Sequence, residues 1–248
     1  MRVLYHRRCR PSGRRLADAL ADVESDLTLN WGLSTAGPGL WINDPSSVAV
    51  ASDKLAALQV MAGFRHHVPT PQFTDDPDVA VSWLASGLLV VGRTAHHRGG
   101  SGLSAISSPS GVEWSQRQGA THWLQRVDAA HEYRVHVVAG KVIKTSEKLG
   151  GAGWVRAKSN GWTFRSPTTT FEERAPVRLA ARRAVRSLGL DFGAADVLVD
   201  RDGGVYTLEV NTAPSVADPT STTFDRYVEA ITAIATGGRE GEDDGPPA

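Results

Sequence analysis

Two apolar segments near the C-terminal end constrain the fold most, because together they predict an antiparallel hairpin with charged residues on one face. The segments read FGAADVLVD and VYTLEVN, and the turn RDGG joins them. If Asp200 pairs with Val205, Asp196 lies directly opposite Glu209. Strand periodicity then places Asn211 on the same face as this carboxylate pair.

Opposed carboxylates need a compensating charge. Directly opposite residues in an antiparallel pair have Cβ atoms ~4.5–5.5 Å apart, and like charges at that distance are destabilising. Carboxylate and amide oxygens suit Mg²⁺, which proteins commonly hold with one or two carboxylates plus the phosphates of a nucleotide. The alternative is an ordinary hairpin with its polar face in water, since one bulge would break the register.

Composition indicates a globular protein without a general affinity for polyanions. The chain has 248 residues, 41% of them apolar, which suffices for one large domain or two smaller lobes. Lys plus Arg and Asp plus Glu each number 27, so nucleic acid is not indicated as a partner. The single Cys9 allows no internal disulfide. With neither a signal peptide nor a membrane-length apolar run, we expect a cytoplasmic protein that does not span a membrane.

The N-terminal part predicts a short α/β unit followed by a helix. Residues 3–5 and 27–31 read as strands, and residues 14–23 read as a helix between them. The segment NDPSS carries a helix start signal, and residues 48–63 show helical spacing up to Gly63.

A second hairpin carries a basic face. In YRVHVVAGKVIKTSEK, Val135, Val137 and Ile143 are expected to face the core. The opposite face contains Arg134, His136, Lys144, Ser146 and Lys148. Such a face favours anions such as phosphate or carboxylate, which arginine can bind bidentately. The alternative is a solvated exterior face balanced by nearby glutamates.

Further segments complete the predicted order. LLVVGR and LSAIS read as strands around the glycine-rich loop HHRGGSG, whose free amide groups can approach phosphate. WLQRV is another strand candidate. Residues 172–188 and 222–235 read as helices, the latter with Phe224, Val228, Ile231 and Ile234 on one side.

The order of these motifs over residues 43–232 resembles the ATP-grasp superfamily. Asn43-Asp44-Pro45 precedes Asp53-Lys54. The later motifs, in chain order, are GF…VPTPQF, LLVVGR with RGGSG, LDFGAADV and EVNTAP. Within that superfamily the chain is similar to the ribosomal-protein-S6-type glutamate ligases, and RAKSNGW is similar to a segment of small phage-type members. Two departures are Arg93 in place of the usual lysine and the lack of a glutamate in the hinge segment LQRV.

The resemblance implies a set of site residues. Asp196, Glu209 and Asn211 would hold Mg²⁺ or Mn²⁺. ATP would contact Lys54, Arg93, Gly100, Ser101, Gly102, Gln125, Arg126, Val127 and Lys144. Arg134, Lys148, Arg156 and Asn160 would orient the reacting acyl phosphate.

The resemblance also implies a fold and an activity. We expect an α+β fold in which two lobes with antiparallel sheets clasp the nucleotide. The lobes are an N-lobe at 46–120 and a C-lobe at 121–236. A pre-grasp α/β unit at 1–45 precedes them, and a disordered tail at 237–248 follows.

The implied activity is ATP-dependent ligation of a carboxylate to an amine through an acylphosphate, on an amino acid or peptide substrate. The alternatives are an ATP-grasp kinase that phosphorylates a hydroxyl and a nucleotide-binding module without turnover. Neither the substrates nor the oligomeric state follow from the sequence.

Overall fold

A three-stranded parallel sheet is built from the N-terminal residues. The computed structural model describes residues 1–35, 37–95, 102–218 and 221–237. The strands β1 (Arg2–Tyr5), β2 (Thr28–Trp31) and β3 (Trp41–Ile42) lie in that order, and helix α1 (Arg10–Ala19) connects the first two. The helix starts four residues before the predicted position because Pro11 is compatible with a first helical turn.

Two helices follow where one was predicted over residues 48–63. Helix α2 (Pro45–Ser52) ends at Asp53, and helix α3 (Lys54–Ala62) begins directly after it. Asp53 has φ −85° and ψ 112°, and its carboxylate accepts hydrogen bonds from the amides of Leu55 and Ala56 at 3.1 Å. The prediction of one helix is therefore wrong, because Asp53 caps a new helix instead of continuing the old one.

A four-stranded antiparallel sheet forms the middle of the chain. Its strands, in the order β4-β7-β5-β6, are β4 (Phe73–Thr74), β5 (Val90–Thr94), β6 (Leu103–Ile106) and β7 (Ala120–Gln125). Two nine-residue helices absent from the prediction, α4 (Pro77–Ala85) and α5 (Pro109–Arg117), contact it. Ala80, Val90, Ile106, Val112 and Trp123 form the small core between them.

A five-stranded antiparallel sheet follows, with strand order β10-β9-β8-β11-β12. Helix α6 (Ala175–Ser187) packs on one face, and helix α7 (Thr223–Gly237) contacts β8 and β9. The predicted mixture of helices and antiparallel sheets is confirmed, while the lobe boundaries stay predictions. The strands are β8 (Ala129–Val138), β9 (Lys141–Leu149), β10 (Thr163–Arg165), β11 (Phe192–Asp200) and β12 (Val205–Asn211).

A bulge in β9 changes which residue faces the core. His136 pairs with Lys144 but Val137 pairs with Val142, so Ile143 is an extra residue. Val142 packs on the core beneath the sheet, and Ile143 packs on the cluster around α7. Ile143 therefore faces a different core cluster from Val135 and Val137, and the basic face of the hairpin keeps its predicted members.

The face of the sheet opposite α6 meets the N-terminal unit at one end. Phe192 stacks on Trp31 with ring centroids 5.0 Å apart, and Tyr227 of α7 approaches Trp31 edge-on at 5.5 Å. Leu16 and Leu20 of α1 belong to the same buried cluster. Across the described ranges, every helix is too short or too polar to traverse a lipid bilayer.

Candidate active site

The β11–β12 hairpin places Asp196 opposite Glu209, as predicted, but by a different register near the turn. Val199, not Asp200, pairs with Val205, and a bulge after Asp196 restores the predicted pair. Asp200 is the last residue of β11, and its carboxylate accepts from the amide of Gly204 in the turn at 2.7 Å. The predicted Asp200–Val205 pair is therefore wrong, because this carboxylate stabilises the turn itself.

Register brings the predicted residues together on one face of the five-stranded sheet. One row across the strands contains Ser146, Arg134, Asp196 and Glu209, and the next row contains Lys144, His136, Ala194 and Asn211. Because opposite residues in neighbouring strands lie on the same face, four strands contribute polar side chains to one patch.

Asp196 is paired with Arg134 of the neighbouring strand β8. Nε and Nη2 of Arg134 donate to the two carboxylate oxygens of Asp196, each at 2.7 Å. Asp196 is only 5% exposed. The guanidinium also lies 4.5 Å from the ring centroid of Phe164 in β10. This bidentate geometry holds both side chains in fixed orientations.

Glu209 is paired with cations from two other elements. Its Oε2 lies 3.0 Å from Nζ of Lys54, in the first turn of α3, and 3.4 Å from Nη2 of Arg93, in β5. Burial alone would raise the pKa of Glu209, but Lys54 and Arg93 together hold this pKa well below its ordinary value. Glu209 thus connects the five-stranded sheet to the four-stranded sheet and to α3.

Asn211 lies beside Glu209 in the carboxylate cluster. Its amide nitrogen lies 3.4 Å from Oε1 of Glu209 and 3.4 Å from the carbonyl oxygen of Ala194. No group of three or more His, Cys, Asp or Glu side chains in the described ranges is arranged to hold a metal, so the third ligand of such a site would have to be this amide. Two carboxylates and one amide oxygen fit a hard cation.

The charge of the cluster favours an additional anion. Two carboxylates, Asp196 and Glu209, face three cations, Lys54, Arg93 and Arg134. Glu132 contacts Lys148 in the next row of the same face, and burial raises the pKa of Glu132 against the opposing effect of that lysine. The one cation in excess can contribute to the neutralisation of phosphate.

The second row of the face is bordered by α7. Nζ of Lys144 lies 3.4 Å from Oγ of Ser221, just before the helix. His136 Nδ1 and the Tyr227 hydroxyl are 3.0 Å apart. Burial, Arg134 and Lys144 lower the pKa of His136 to about 3, so this imidazole is neutral. Sequence reasoning assigned no role to His136, although its alternation with Arg134 was visible.

Two predicted substrate residues have other contacts. Arg156 donates to the backbone carbonyls of Ala129 and Ala130, and Asn160 donates to the carbonyl of Val155 at 2.9 Å. In the part of the chain that the structure describes, neither side chain contacts the carboxylate cluster. Both tie the connection between β9 and β10 to the surrounding backbone.

The predicted hinge lines a cavity. Gln125, Arg126 and Val127 border a cavity of ≈ 270 Å³ together with Tyr206 and the β11–β12 turn. Gly102 precedes β6 with φ 70°. The other two predicted flap residues, Gly100 and Ser101, lie outside the described residues.

Asn43 is a buried connection that sequence reasoning treated only as part of a motif. Its Oδ1 accepts from the amides of Asp191 at 2.8 Å and Phe192 at 3.0 Å, and its Nδ2 donates to the carbonyl of Phe192 at 2.9 Å. Asn43 has φ 65°, which asparagine tolerates better than most residues. It joins the start of α2 to the start of β11, and an asparagine before Asp-Pro is the signal that pointed to it.

Curated proteins similar to this chain are described as ligases, while no family model matches the sequence. A probable alpha-L-glutamate ligase of Mannheimia succiniciproducens is 27% identical over 185 residues, 71% of this chain and 60% of the relative. Its counterpart in Serratia proteamaculans is 28% identical over 211 residues, 81% and 69% of the two chains. A D-alanine–D-alanine ligase of Paraburkholderia phytofirmans is 50% identical over 48 residues, 19% of this chain and 15% of the relative. The chain thus spans less than two thirds of the first and the last of these relatives.

Solved structures, among them that of an ATP-grasp ligase, share the fold. D-cycloserine synthetase DcsG aligns with a TM-score of 0.67 at 16% identity, over 94% of this chain and 99% of its own. The ATP-grasp ligase PsnB, complexed with minimal precursor, Mg and ADP, gives a TM-score of 0.60 at 18% identity over 79% and 62% of the two chains. By its fold, this chain is therefore similar to ATP-grasp ligases such as PsnB.

Proposed function

We propose that this protein is an ATP-dependent carboxylate–amine ligase that forms an amide through an acylphosphate intermediate. The observation that carries the proposal is the convergence of two carboxylates and an amide with three cations from three elements. The curated relatives described as glutamate and D-alanine–D-alanine ligases support the same chemistry. The structural neighbour complexed with Mg and ADP supports the use of a nucleotide.

In this proposal the nucleotide lies along the polar face of the five-stranded sheet. Lys54, Arg93 and Lys144 bind phosphates, and the cavity bordered by residues 125–127 takes the base. Arg93 replaces the expected lysine, yet its contact with Glu209 places it beside Lys54. A guanidinium can bind phosphate as well as an ammonium can, so this departure is compatible with turnover.

The metal would be held by Asp196, Glu209 and Asn211. When bound there, Mg²⁺ or Mn²⁺ would neutralise phosphate charge during transfer. Nucleotide phosphates give Lys54 and Arg93 a new anionic partner, which frees oxygen atoms of Glu209. The same side chains can therefore serve the empty and the loaded site.

The reaction has two steps. A carboxylate oxygen of the substrate attacks the γ-phosphorus, the bond to the bridging oxygen breaks, and ADP leaves with that electron pair. The amine nitrogen then attacks the acyl carbon, inorganic phosphate leaves, and the amine proton passes to a base. Arg134 and Lys148 orient the acyl phosphate, and catalysis depends mainly on positioning and charge neutralisation.

Several predicted roles stay with this proposal. The loop containing Gly100, Ser101 and Gly102 would cover the nucleotide and exclude water, which would otherwise hydrolyse the acylphosphate. Arg156 and Asn160 would act from the β9–β10 connection once substrate is bound, since in the described residues they contact only backbone and the ring of Trp162.

A hydroxamate screen tests the proposal. Candidate acids are incubated with hydroxylamine and MgATP; hydroxamate is measured by the colour of its ferric complex, and the phosphorus-containing products are followed by ³¹P NMR. We expect hydroxamate and inorganic phosphate in equal amounts, and none with Glu209→Ala. A stable phosphoester would instead show a kinase. MgATP binding without turnover on a broad panel would show a nucleotide-binding module.

A further inference from the structure

Four arginines form an exposed patch at the N-terminal unit. Arg7 and Arg8 lie in a short 3-10 helix, and Arg10 and Arg14 lie in the first turns of α1. All four are exposed, and their guanidinium groups have neither an ion pair nor a hydrogen bond within the described residues. We call them the arginine patch. Since the whole chain has no net formal charge, the patch is a local concentration of charge.

The position of the patch is electrostatically unfavourable for the isolated protein. The N-terminal end of a helix carries partial positive charge, so cations there destabilise it and anions stabilise it. The first turn of α1 contains no acidic residue. Four cations within eight residues also repel one another, and a bound anion would relieve both effects.

The surface beside the patch is open and carries a shallow recess. A recess of ≈ 370 Å³ is lined by Arg10, Pro11, Arg14, Arg15 and Asp18. Arg15 donates to the carbonyl of Asp218 at 3.1 Å and lies 3.7 Å from the ring centroid of Phe224. Arg15 is therefore held by the protein, whereas Arg10 and Arg14 present unengaged guanidinium groups to a partner.

The patch is connected to the candidate active site. Oγ of Ser12, between Arg10 and Arg14, accepts from the amide of Val216 at 3.0 Å. Val216 is five residues beyond Asn211, so at most ~17 Å of extended chain separates them. One short segment of chain therefore joins the helix that carries Arg10 and Arg14 to the strand that carries Glu209 and Asn211.

We propose that the arginine patch binds an acidic peptide segment that carries the carboxylate substrate. Clustered arginines bind carboxylates bidentately, and the recess admits side chains. A peptide is favoured over nucleic acid because the charge is confined to one small patch, whereas nucleic-acid binding uses an extended basic surface. The assignment of the peptide as substrate rests on the proposed ligase function.

Fluorescence anisotropy tests the binding step without nucleotide. The probe is a fluorescein-labelled peptide of about ten residues rich in glutamate, beside a glutamine counterpart of the same length. The triple variant Arg7→Glu, Arg10→Glu, Arg14→Glu should bind the acidic probe at least about tenfold more weakly. The matched control, Arg65→Glu, Arg117→Glu, Arg182→Glu, has the same change in net charge and should bind like wild type.

The possible outcomes separate the two proposals. Equal binding by both triple variants, or equal binding of the glutamine peptide, would overturn the assignment. Tighter binding of a short single-stranded RNA than of the acidic peptide would overturn it in favour of a nucleic-acid surface. Acidic-peptide binding lost only in the patch variant, with MgATP affinity unchanged, supports it even if the hydroxamate screen fails. Turnover of small acids without peptide binding would support the proposed ligase function and overturn the proposed role of the arginine patch.

Discussion

Nζ of Lys54 lies 3.0 Å from Oε2 of Glu209, so a proposed phosphate ligand neutralises a proposed metal ligand. Arg93 contacts the same oxygen at 3.4 Å, and Arg134 occupies both oxygens of Asp196. Both carboxylates of the site are therefore paired with cations before a nucleotide arrives. A free divalent cation must displace these contacts, whereas MgATP brings phosphates that attract the same cations.

Removing one of these cations should strengthen the binding of a free metal ion. For Lys54→Met without nucleotide, we expect about tenfold tighter Mn²⁺ binding, because one competing charge beside Glu209 is lost. Affinity for MgATP should fall by a similar factor. Electron paramagnetic resonance of free Mn²⁺ measures the first quantity, and a nucleotide titration measures the second.

Lys158→Met is the control, because Lys158 is exposed on a short 3-10 helix and makes no ion pair within the described residues. It should leave both affinities unchanged. Mn²⁺ binding that is the same in Lys54→Met and in wild type would show that the lysine does not compete with the metal.

The Arg134–Asp196 pair should be energetically coupled. Arg134→Met leaves a buried carboxylate uncompensated, which costs ~3–5 kcal/mol of unfolding free energy. In a double-mutant cycle with Asp196→Asn, measured by urea denaturation, we expect a coupling of about 2 kcal/mol.

The exposed pair Arg201–Asp128, at 3.0 Å, gives the matched comparison and should show almost no coupling. If the effects of Arg134→Met and Asp196→Asn add to within about 0.5 kcal/mol, the pair does not act as a unit.

The hairpins were predictable because their apolar and polar residues alternate. The alternation gathered the basic residues of β8 and β9 on one face. Asp196 was placed opposite Glu209 from an assumed turn register, and the pair forms only because a bulge compensates for the different register at the turn. The bulges in β9 and β12 were not predictable, since a bulge depends on packing from both faces of the sheet. Ile143 illustrates this, because α7 and the N-terminal unit provide its packing partners.

Other features were missed because they depend on distant contacts or on short segments. The break at Asp53 separates two stretches with the same helical spacing, and only the capping of α3 reveals it. Helices α4 and α5 are only nine residues long, which leaves a short stretch of sequence in which a helical pattern can be recognised. The pairing of Glu209 with Lys54 and Arg93 requires three elements far apart in sequence.

Neutral His136 should make stability depend on pH. Its pKa is about 3 in the folded protein, because of burial, Arg134 and Lys144, and near 6.5 when unfolded. Between these values the unfolded chain binds the proton more strongly, so stability falls as pH drops below about 6.5. At pH 5 the loss is about 2 kcal/mol.

Urea denaturation of wild type and His136→Gln between pH 7 and pH 5 measures this contribution. Glutamine does not titrate, so the variant should lose about 2 kcal/mol less than wild type over this range. Parallel stability curves would show that the His136 pKa is not depressed by its neighbours.

Asn43 should stabilise the connection between α2 and β11. Asn43→Ala removes the hydrogen bonds to Asp191 and Phe192 and places alanine at a positive φ. We expect a loss of about 3 kcal/mol in unfolding free energy, from the lost buried hydrogen bonds and the backbone strain. Asn43→Gly tolerates the φ and should lose less. Equal losses for the two variants would assign the whole effect to the hydrogen bonds.

Transfer of ¹⁸O from the substrate carboxylate to phosphate tests the central claim most directly. The acid that gives the most hydroxamate is labelled in its carboxylate and incubated with MgATP and hydroxylamine, and the released phosphate is examined by ³¹P NMR. Attack of the carboxylate on the γ-phosphorus predicts one ¹⁸O in each phosphate. Unlabelled phosphate formed together with hydroxamate would contradict the acylphosphate route.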